Sequence, residues 1–249
     1  MRVKYLGLVI AGSALLCCGV PAIAQQDVSV TFTGGYTGTF ENFGAGVYSG
    51  TINGNASPGI ICDDFNDEVS SGESWNAKAF QVSSLVSGGN LDSTLFGSTI
   101  GVQGYAEVAT LVSALFSNST SLGGVSGITA GELSSAIWYI TTPGGITGLD
   151  SNATALVNYV KGLFGGSSAT PSQITAATNY LASLTNLWIL TPDPKGYAPQ
   201  GYSTEPQEMW TENLKAPEGG AALMYLLLAG VTCFGAMFRS RRQALRQSL

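Results

Sequence analysis

Cys62 is the residue in the central part of the chain best suited to covalent chemistry, and two carboxylates, Asp63 and Asp64, follow it directly. A thiolate is a nucleophile that can attack the carbonyl carbon of an acyl group. The chain contains no histidine, which excludes a Cys-His or Ser-His-Asp catalytic pair, histidine zinc ligands and imidazole acid–base catalysis. Because Ile60 and Ile61 precede it, we predict that Cys62 is a buried and unreactive thiol.

The acidic residues around this cysteine form a cluster, which consists of Asp63, Asp64, Asp67, Glu68 and Glu73. If Asp64, Asn66 and Glu68 were the first, third and fifth ligands of an EF-hand loop, Val69 would replace the required glycine and Trp75 the last ligand. We therefore predict no metal site and no cofactor. A weak calcium site in an irregular loop, or the carboxylate pair of a glycosidase, are alternatives that the sequence leaves open.

The excess of acidic over basic residues limits which partners the protein can bind. All 16 acidic residues lie between Asp27 and Glu218, a span whose basic residues are Lys78, Lys161, Lys195 and Lys215. A surface of this sign repels phosphate backbones, so nucleic acid is not an expected partner. Charged residues are only 10% of the chain and hydrophobic ones 45%, which favours a folded, exported protein over a disordered one.

The two ends of the chain carry targeting features. Residues 1–24 combine Arg2 and Lys4, an apolar stretch and the small residues around Ala24, which predicts a secretory signal peptide. Residues 219–238 are apolar over a length that crosses a bilayer. Arginines follow at once, so the positive-inside rule predicts a single transmembrane helix with its C-terminus in the cytoplasm.

The sequence around the second feature has three parts: Ala-Pro-Glu-Gly-Gly, an apolar helix and an arginine cluster. It resembles the PEP-CTERM sorting signal of Gram-negative bacteria over residues 216–245, although Gly219 replaces the second proline of the commonest form. The resemblance implies recognition by an exosortase-type membrane processing enzyme and delivery to the cell surface or the exopolysaccharide matrix. The residues that it implies for recognition are Pro217, Glu218, Gly219, Gly220, Arg239, Arg241 and Arg242.

The mature domain is predicted over residues 25–190. Alternating apolar and polar residues with Gly-Gly and Asn-Gly breaks predict strands in its first half, and three- and four-residue spacing predicts helices in its second half. Helix starts are expected at Thr129, Asp150 and Thr170. We predict an α+β domain in which a β-sheet packs on a small helical layer. Five of the nine prolines fall in residues 191–217, so residues 191–215 are predicted to be an extended Pro-rich linker, or stalk. Docking of Met209 and Trp210 on the domain, or their position at the bilayer interface, is the alternative.

Short segments of this domain resemble a thioester-type adhesin domain: ICDDF around Cys62, GESW, the helix from Tyr105, and SAIW ending at Trp138. In that family the cysteine is joined to a glutamine that lies two residues before Ala-Ile-Trp, and the acyl group captures amines on a host surface. Ser134 occupies the glutamine position here, and a hydroxyl offers no carbonyl to the thiol. The resemblance therefore implies the fold but an inactive thioester position at Cys62 and Ser134.

The sequence thus favours a non-enzymatic protein that is exported through the inner membrane, remains as a membrane-anchored precursor and then reaches the cell surface or the extracellular matrix. An adhesion or structural module, with exopolysaccharide or another surface ligand, is the first hypothesis. A secreted carbohydrate- or calcium-binding protein is the alternative, and a hydrolase is the third. Trp75, Trp138 and Trp188 lie at regular strand and helix positions, so we expect them in the core rather than stacked on sugars.

Overall fold

The computed structural model describes residues 25–67, 69–88, 90–193 and 206–214. All of them belong to one unit that ends at Leu214. The predicted signal peptide, the sorting signal and the C-terminal span lie outside the described residues. The predicted α+β class is confirmed: an antiparallel sheet packs against a layer of helices.

Nine strands occur in the described part of the chain: β1 Gln25–Phe40, β2 Phe43–Ile52, β3 Asn55–Ala56, β4 Ile60–Cys62, β5 Ser74–Gln81, β6 Ser121–Leu122, β7 Val125–Ser126, β8 Leu187–Pro192 and β9 Met209–Glu212. Seven of them form the main sheet in the order β1-β5-β8-β9-β4-β2-β3. The first strand, β1, also pairs with β2. Six strands therefore close into a ring, which leaves few unpaired edges.

The sequence pattern explains most of this sheet. In β1, Val28, Val30 and Phe32 alternate with more exposed residues and face the core. The predicted turn at Asn53-Gly54 is present, and both residues have positive φ, as a tight hairpin between β2 and β3 requires. The break predicted at Gly34-Gly35 is wrong. Those glycines have positive φ inside β1, where the pairing register shifts and the strand continues.

Five described helices cover the sheet: α1 Val82–Ser87, α2 Gly97–Phe116, α3 Ala130–Thr141, α4 Ser151–Phe164 and α5 Pro171–Ser183. The three predicted helix starts are confirmed. Thr129 and Thr170 each form a capping box, and the Asp150 carboxylate accepts a hydrogen bond from the Ala153 N–H group. These caps occupy backbone N–H groups that have no partner inside the helix.

The central element of the helical layer is α2, which contacts α3, α4 and α5. Within the described part of the chain it alone has the length and apolar composition of a membrane-crossing helix, but 61% of its apolar window is buried inside the domain. It is therefore the core helix of this unit. The neighbouring α3 packs on β1 and β2, and this contact positions the candidate site.

The C-terminal limit of the domain differs from the prediction. The predicted linker, residues 191–215, begins inside β8, and Met209–Glu212 form β9 between β8 and β4. Met209 and Trp210 have no exposed surface. A central strand that is buried on both faces shows no alternation of apolar and polar residues, and the nearby prolines conceal it in the sequence.

Replacement of Trp210 by alanine tests the place of β9 in the fold. A fully buried tryptophan that is truncated to alanine costs about 3–5 kcal/mol in the free energy of unfolding, whereas the same change in a linker costs almost nothing. We expect a loss in that range by urea denaturation. Tyr36→Ala is the control, because Tyr36 is 57% exposed. A loss for Trp210→Ala as small as that of the control would contradict the assignment of β9.

Candidate functional site

The two residues at the predicted thioester position lie at one interface between α3 and the sheet. Cys62 ends β4, and its carbonyl oxygen accepts a hydrogen bond of 3.1 Å from the Trp138 indole N–H. Ser134 lies one turn before Trp138 on α3. Its hydroxyl oxygen accepts a 2.8 Å hydrogen bond from the backbone N–H of Gly46 on β2. The structure thus brings the Cys62 strand and the Ser134 helix together.

The Cys62 thiol is buried and satisfied locally. Its Sγ donates to the Asp64 carbonyl oxygen at 2.9 Å and accepts from the Asp64 N–H at 3.3 Å. Burial raises the pKa of the thiol well above its ordinary value, and the nearby carboxyl groups of Asp63 and Asp64 raise it further. Little thiolate forms near neutral pH, so the thiol is a poor nucleophile.

The carboxyl group of Asp63 points into the interior. Its Oδ2 accepts a 2.6 Å hydrogen bond from the Trp210 indole N–H. Next to it, the buried Glu208 carboxylate accepts hydrogen bonds from the Tyr105 hydroxyl at 2.8 Å and from the Leu95 N–H at 2.7 Å. Burial, and then the charge of Glu208, raise the pKa of Asp63. This network joins β4, β9 and α2.

An open cleft of about 240 Å³ lies above the Cys62 loop. One of its walls is aromatic: the ring centroids of Phe43 and Phe65 are 5.4 Å apart, and those of Phe65 and Trp138 are 5.5 Å apart. Phe43 is 42% exposed. The lining also includes Tyr48 and a set of polar side chains: Asn42, Asp64, Asp67 and Gln207. Hereafter "the cleft" means this site.

The two acidic residues of the cleft interact through their side chains. A hydrogen bond links the carboxyl groups of Asp64 and Asp67. Burial, this hydrogen bond and the charge of Asp64 raise the pKa of Asp67 to about 7. The Gln207 amide donates to the backbone carbonyl oxygens of Asp64 and Asp67. Because Gln207 lies two residues before β9, this strand also fixes the acidic loop.

The predicted site residues are therefore divided between several places. Asp64 and Asp67 line the cleft, whereas Asp63 lies in the interior and the Glu73 carboxylate accepts a hydrogen bond from the Ser70 N–H. No group of three or more potential metal ligands occurs among the described residues. The sorting-signal residues lie outside the described part of the chain, as does Glu68. They are Pro217, Glu218, Gly219, Gly220, Arg239, Arg241 and Arg242.

The residues of the cleft that were not predicted as site residues from the sequence include Asn42, Phe43, Tyr48 and Gln207. Asn42 and Phe43 follow a positive-φ residue, Glu41, at the turn between β1 and β2. An aromatic residue after a turn is one signal that could have indicated an exposed ring. No local feature of the sequence indicates that Gln207 lies in the cleft, because its position depends on the pairing of β9.

The chain matches no family model, and it matches no curated protein and no solved structure. Its fold class follows from the structure.

The raised pKa of the cleft carboxyl pair predicts how stability varies with pH. Folded Asp67 titrates at about pH 7, whereas an aspartate in an unfolded chain titrates near 4. The folded state therefore binds more protons between these values, and the free energy of unfolding falls as pH rises through that window. We expect the wild type to be more stable at about pH 5 than at about pH 7.5 in urea melts.

The matched variant is Asp67→Asn, which keeps the size of the side chain but removes its titration. The difference in stability between the two pH values should become smaller in this variant. The other buried carboxyls, such as Asp63, have raised pKa values as well, so part of the difference will persist. An unchanged difference in the variant would show that Asp67 titrates normally.

Proposed function

We propose that this chain is the precursor of an exported protein of the cell surface or extracellular matrix. The signal peptide predicted over residues 1–24 would direct export through the inner membrane. The PEP-CTERM-like segment, residues 216–245, would then be recognised by an exosortase-type membrane enzyme, while the helix over residues 219–238 anchors the precursor. Pro217 and Glu218 are the proposed recognition residues, and Arg239, Arg241 and Arg242 hold the tail in the cytoplasm.

The described domain would act as a non-enzymatic adhesion module. The observation that supports this most is the open cleft, which combines exposed aromatic surface with polar side chains above a thiol that is buried and hydrogen-bonded. The contact between β4 and α3 supports a thioester-like scaffold. Because Ser134 offers no acyl group and Cys62 is buried, such a scaffold would bind its partner without a covalent bond.

A carbohydrate is the ligand that the cleft favours. Aromatic rings present a flat apolar face to a sugar ring, and Phe43 offers such a face. Carboxyl and amide groups, as in Asp64, Asp67 and Asn42, can exchange hydrogen bonds with sugar hydroxyls. The cleft would therefore bind a polysaccharide through one aromatic face and several polar side chains.

Binding of extracellular polysaccharide tests the function of the cleft. The purified full-length chain should be retained on exopolysaccharide from the cells that produce it, or on a glycan array. Phe43→Ala should weaken binding by about tenfold, equivalent to about 1.4 kcal/mol, because the exposed ring is lost. Ile174→Ala is the control: Ile174 is 40% exposed but lies on α5, away from the cleft. Equal binding by Phe43→Ala and the wild type would exclude the cleft as the site.

Sorting is tested separately in producing cells. If Pro217 and Glu218 are recognised by the processing enzyme, the double variant Pro217→Ala, Glu218→Ala should leave the full-length chain in the inner membrane. Pro199→Ala with Glu205→Ala makes the same two changes outside the sorting segment and should be delivered normally. Fractionation and immunoblotting measure both. Surface delivery of the first double variant at the wild-type level would contradict the sorting proposal.

A further inference from the structure

A second cavity, of about 320 Å³, lies in the helical layer between α2, α3 and the end of α4. It is separate from the cleft, with which it shares no lining residue. Its volume falls in the range of small-molecule sites, which often lie between packed helices. The lining has an apolar part, formed by Ile100, Ile140 and Pro143, and two charged side chains, Glu107 and Lys161.

The backbone of α2 is bent at this cavity. Gly101 interrupts the helix with φ 64 and ψ −173, a conformation open essentially to glycine alone. The turn before it, which carries Ile100, therefore leaves the axis of the rest of α2 and forms part of the cavity wall. A side chain at Gly101 would also meet the amide of Gln103, a further lining residue.

Glu107 supplies a carboxyl group that the fold uses only in part. The residue is 1% exposed, and its Oε1 accepts a 2.8 Å hydrogen bond from the Gly166 N–H beyond the end of α4. No described residue donates a hydrogen bond to Oε2. The hydrogen bond from Gly166 accounts for Oε1, which binds a backbone N–H group just after the end of α4. Oε2 has no donor among the described residues, and Glu107 lines the cavity.

Lys161 supplies the opposite charge without neutralising this carboxyl group. Its Nζ lies 5.1 Å from the centre of the Tyr139 ring, a cation–π contact. Glu107 and Lys161 do not form an ion pair. Burial raises the pKa of the Glu107 carboxyl group, whereas the hydrogen bond from the Gly166 N–H and the charge of Lys161 act in the opposite direction. One cavity therefore contains a negative and a positive group that are held apart.

We propose that this cavity binds a small zwitterion of the amino-acid class, with its ammonium group on Glu107 and its carboxylate on Lys161. The ammonium would give Glu107 Oε2 the donor that it lacks, and charge-assisted hydrogen bonds of this kind are stronger than neutral ones. The apolar wall of Ile100, Ile140 and Pro143 would accommodate a short aliphatic side chain. This site is independent of the cleft and of the proposal made for it.

Titration calorimetry on the purified full-length chain tests the proposal, with L-alanine as the probe. Ethylammonium carries only the positive group, acetate only the negative one, and glucose carries neither. We expect saturable binding of L-alanine and at least about tenfold weaker binding of each of the other three compounds. Absence of saturable L-alanine binding would overturn the proposal. Equal binding of glucose, acetate or ethylammonium would also overturn it, because recognition would then not require both charges.

Two variants test whether L-alanine binds in this cavity. Glu107→Gln and Lys161→Met should each weaken L-alanine binding by at least about tenfold, whereas Lys78→Met should leave it unchanged. Lys78 is the matched control, since it pairs with Asp27 and Asp193 outside this cavity. Circular dichroism checks that each variant is folded. If a variant does not fold, the binding of the four compounds to the wild type still tests whether the cavity recognises both charges. Wild-type affinity in folded Glu107→Gln or Lys161→Met would overturn the assignment.

Discussion

The hydrogen bond from the Trp210 indole to the buried Asp63 carboxyl is the contact on which the rest of the domain depends. Together with the backbone pairing of β9 with β4 and β8, it places β9 in the sheet. Glu208, the residue before β9, accepts a hydrogen bond from Tyr105 on α2. Without β9 the ring of strands between β8 and β4 would be open. Gln207 then ties the acidic loop to this strand, so the shape of the cleft follows from a contact in the interior.

The buried carboxyl groups share an electrostatic constraint. Lys78 and Lys161 are the only basic residues in the described part of the chain, so few cations are available to pair with the buried Asp63 and Glu107 or with the partly buried Asp67. Hydrogen-bond donors and bound protons stabilise these groups instead, and burial raises the pKa of each. A domain built in this way is suited to mildly acidic surroundings.

Local chemistry explains what the sequence predicted and what it did not. Caps at Thr129, Asp150 and Thr170 are determined within one turn, so the starts of α3, α4 and α5 were predictable, as was the α+β class. The position of β9 depends on partners distant in sequence, such as Asp63, and four prolines lie in the predicted linker that conceals it. Of the residues in the cleft, only Asp64 and Asp67 were considered as site residues from the sequence, and Trp138 was expected in the core. The other walls of the cleft depend on the closing of the ring.

Amide hydrogen exchange in residues 206–214 measures most directly whether β9 is a permanent part of the fold. A central strand opens only with global unfolding, so its N–H groups exchange as slowly as those of its neighbours. We predict that Trp210 and Thr211 are protected to the same degree as Ile61 on β4 and Ile189 on β8. Exchange of this segment at the rate of an unstructured peptide, while Ile61 and Ile189 stay protected, would contradict the account.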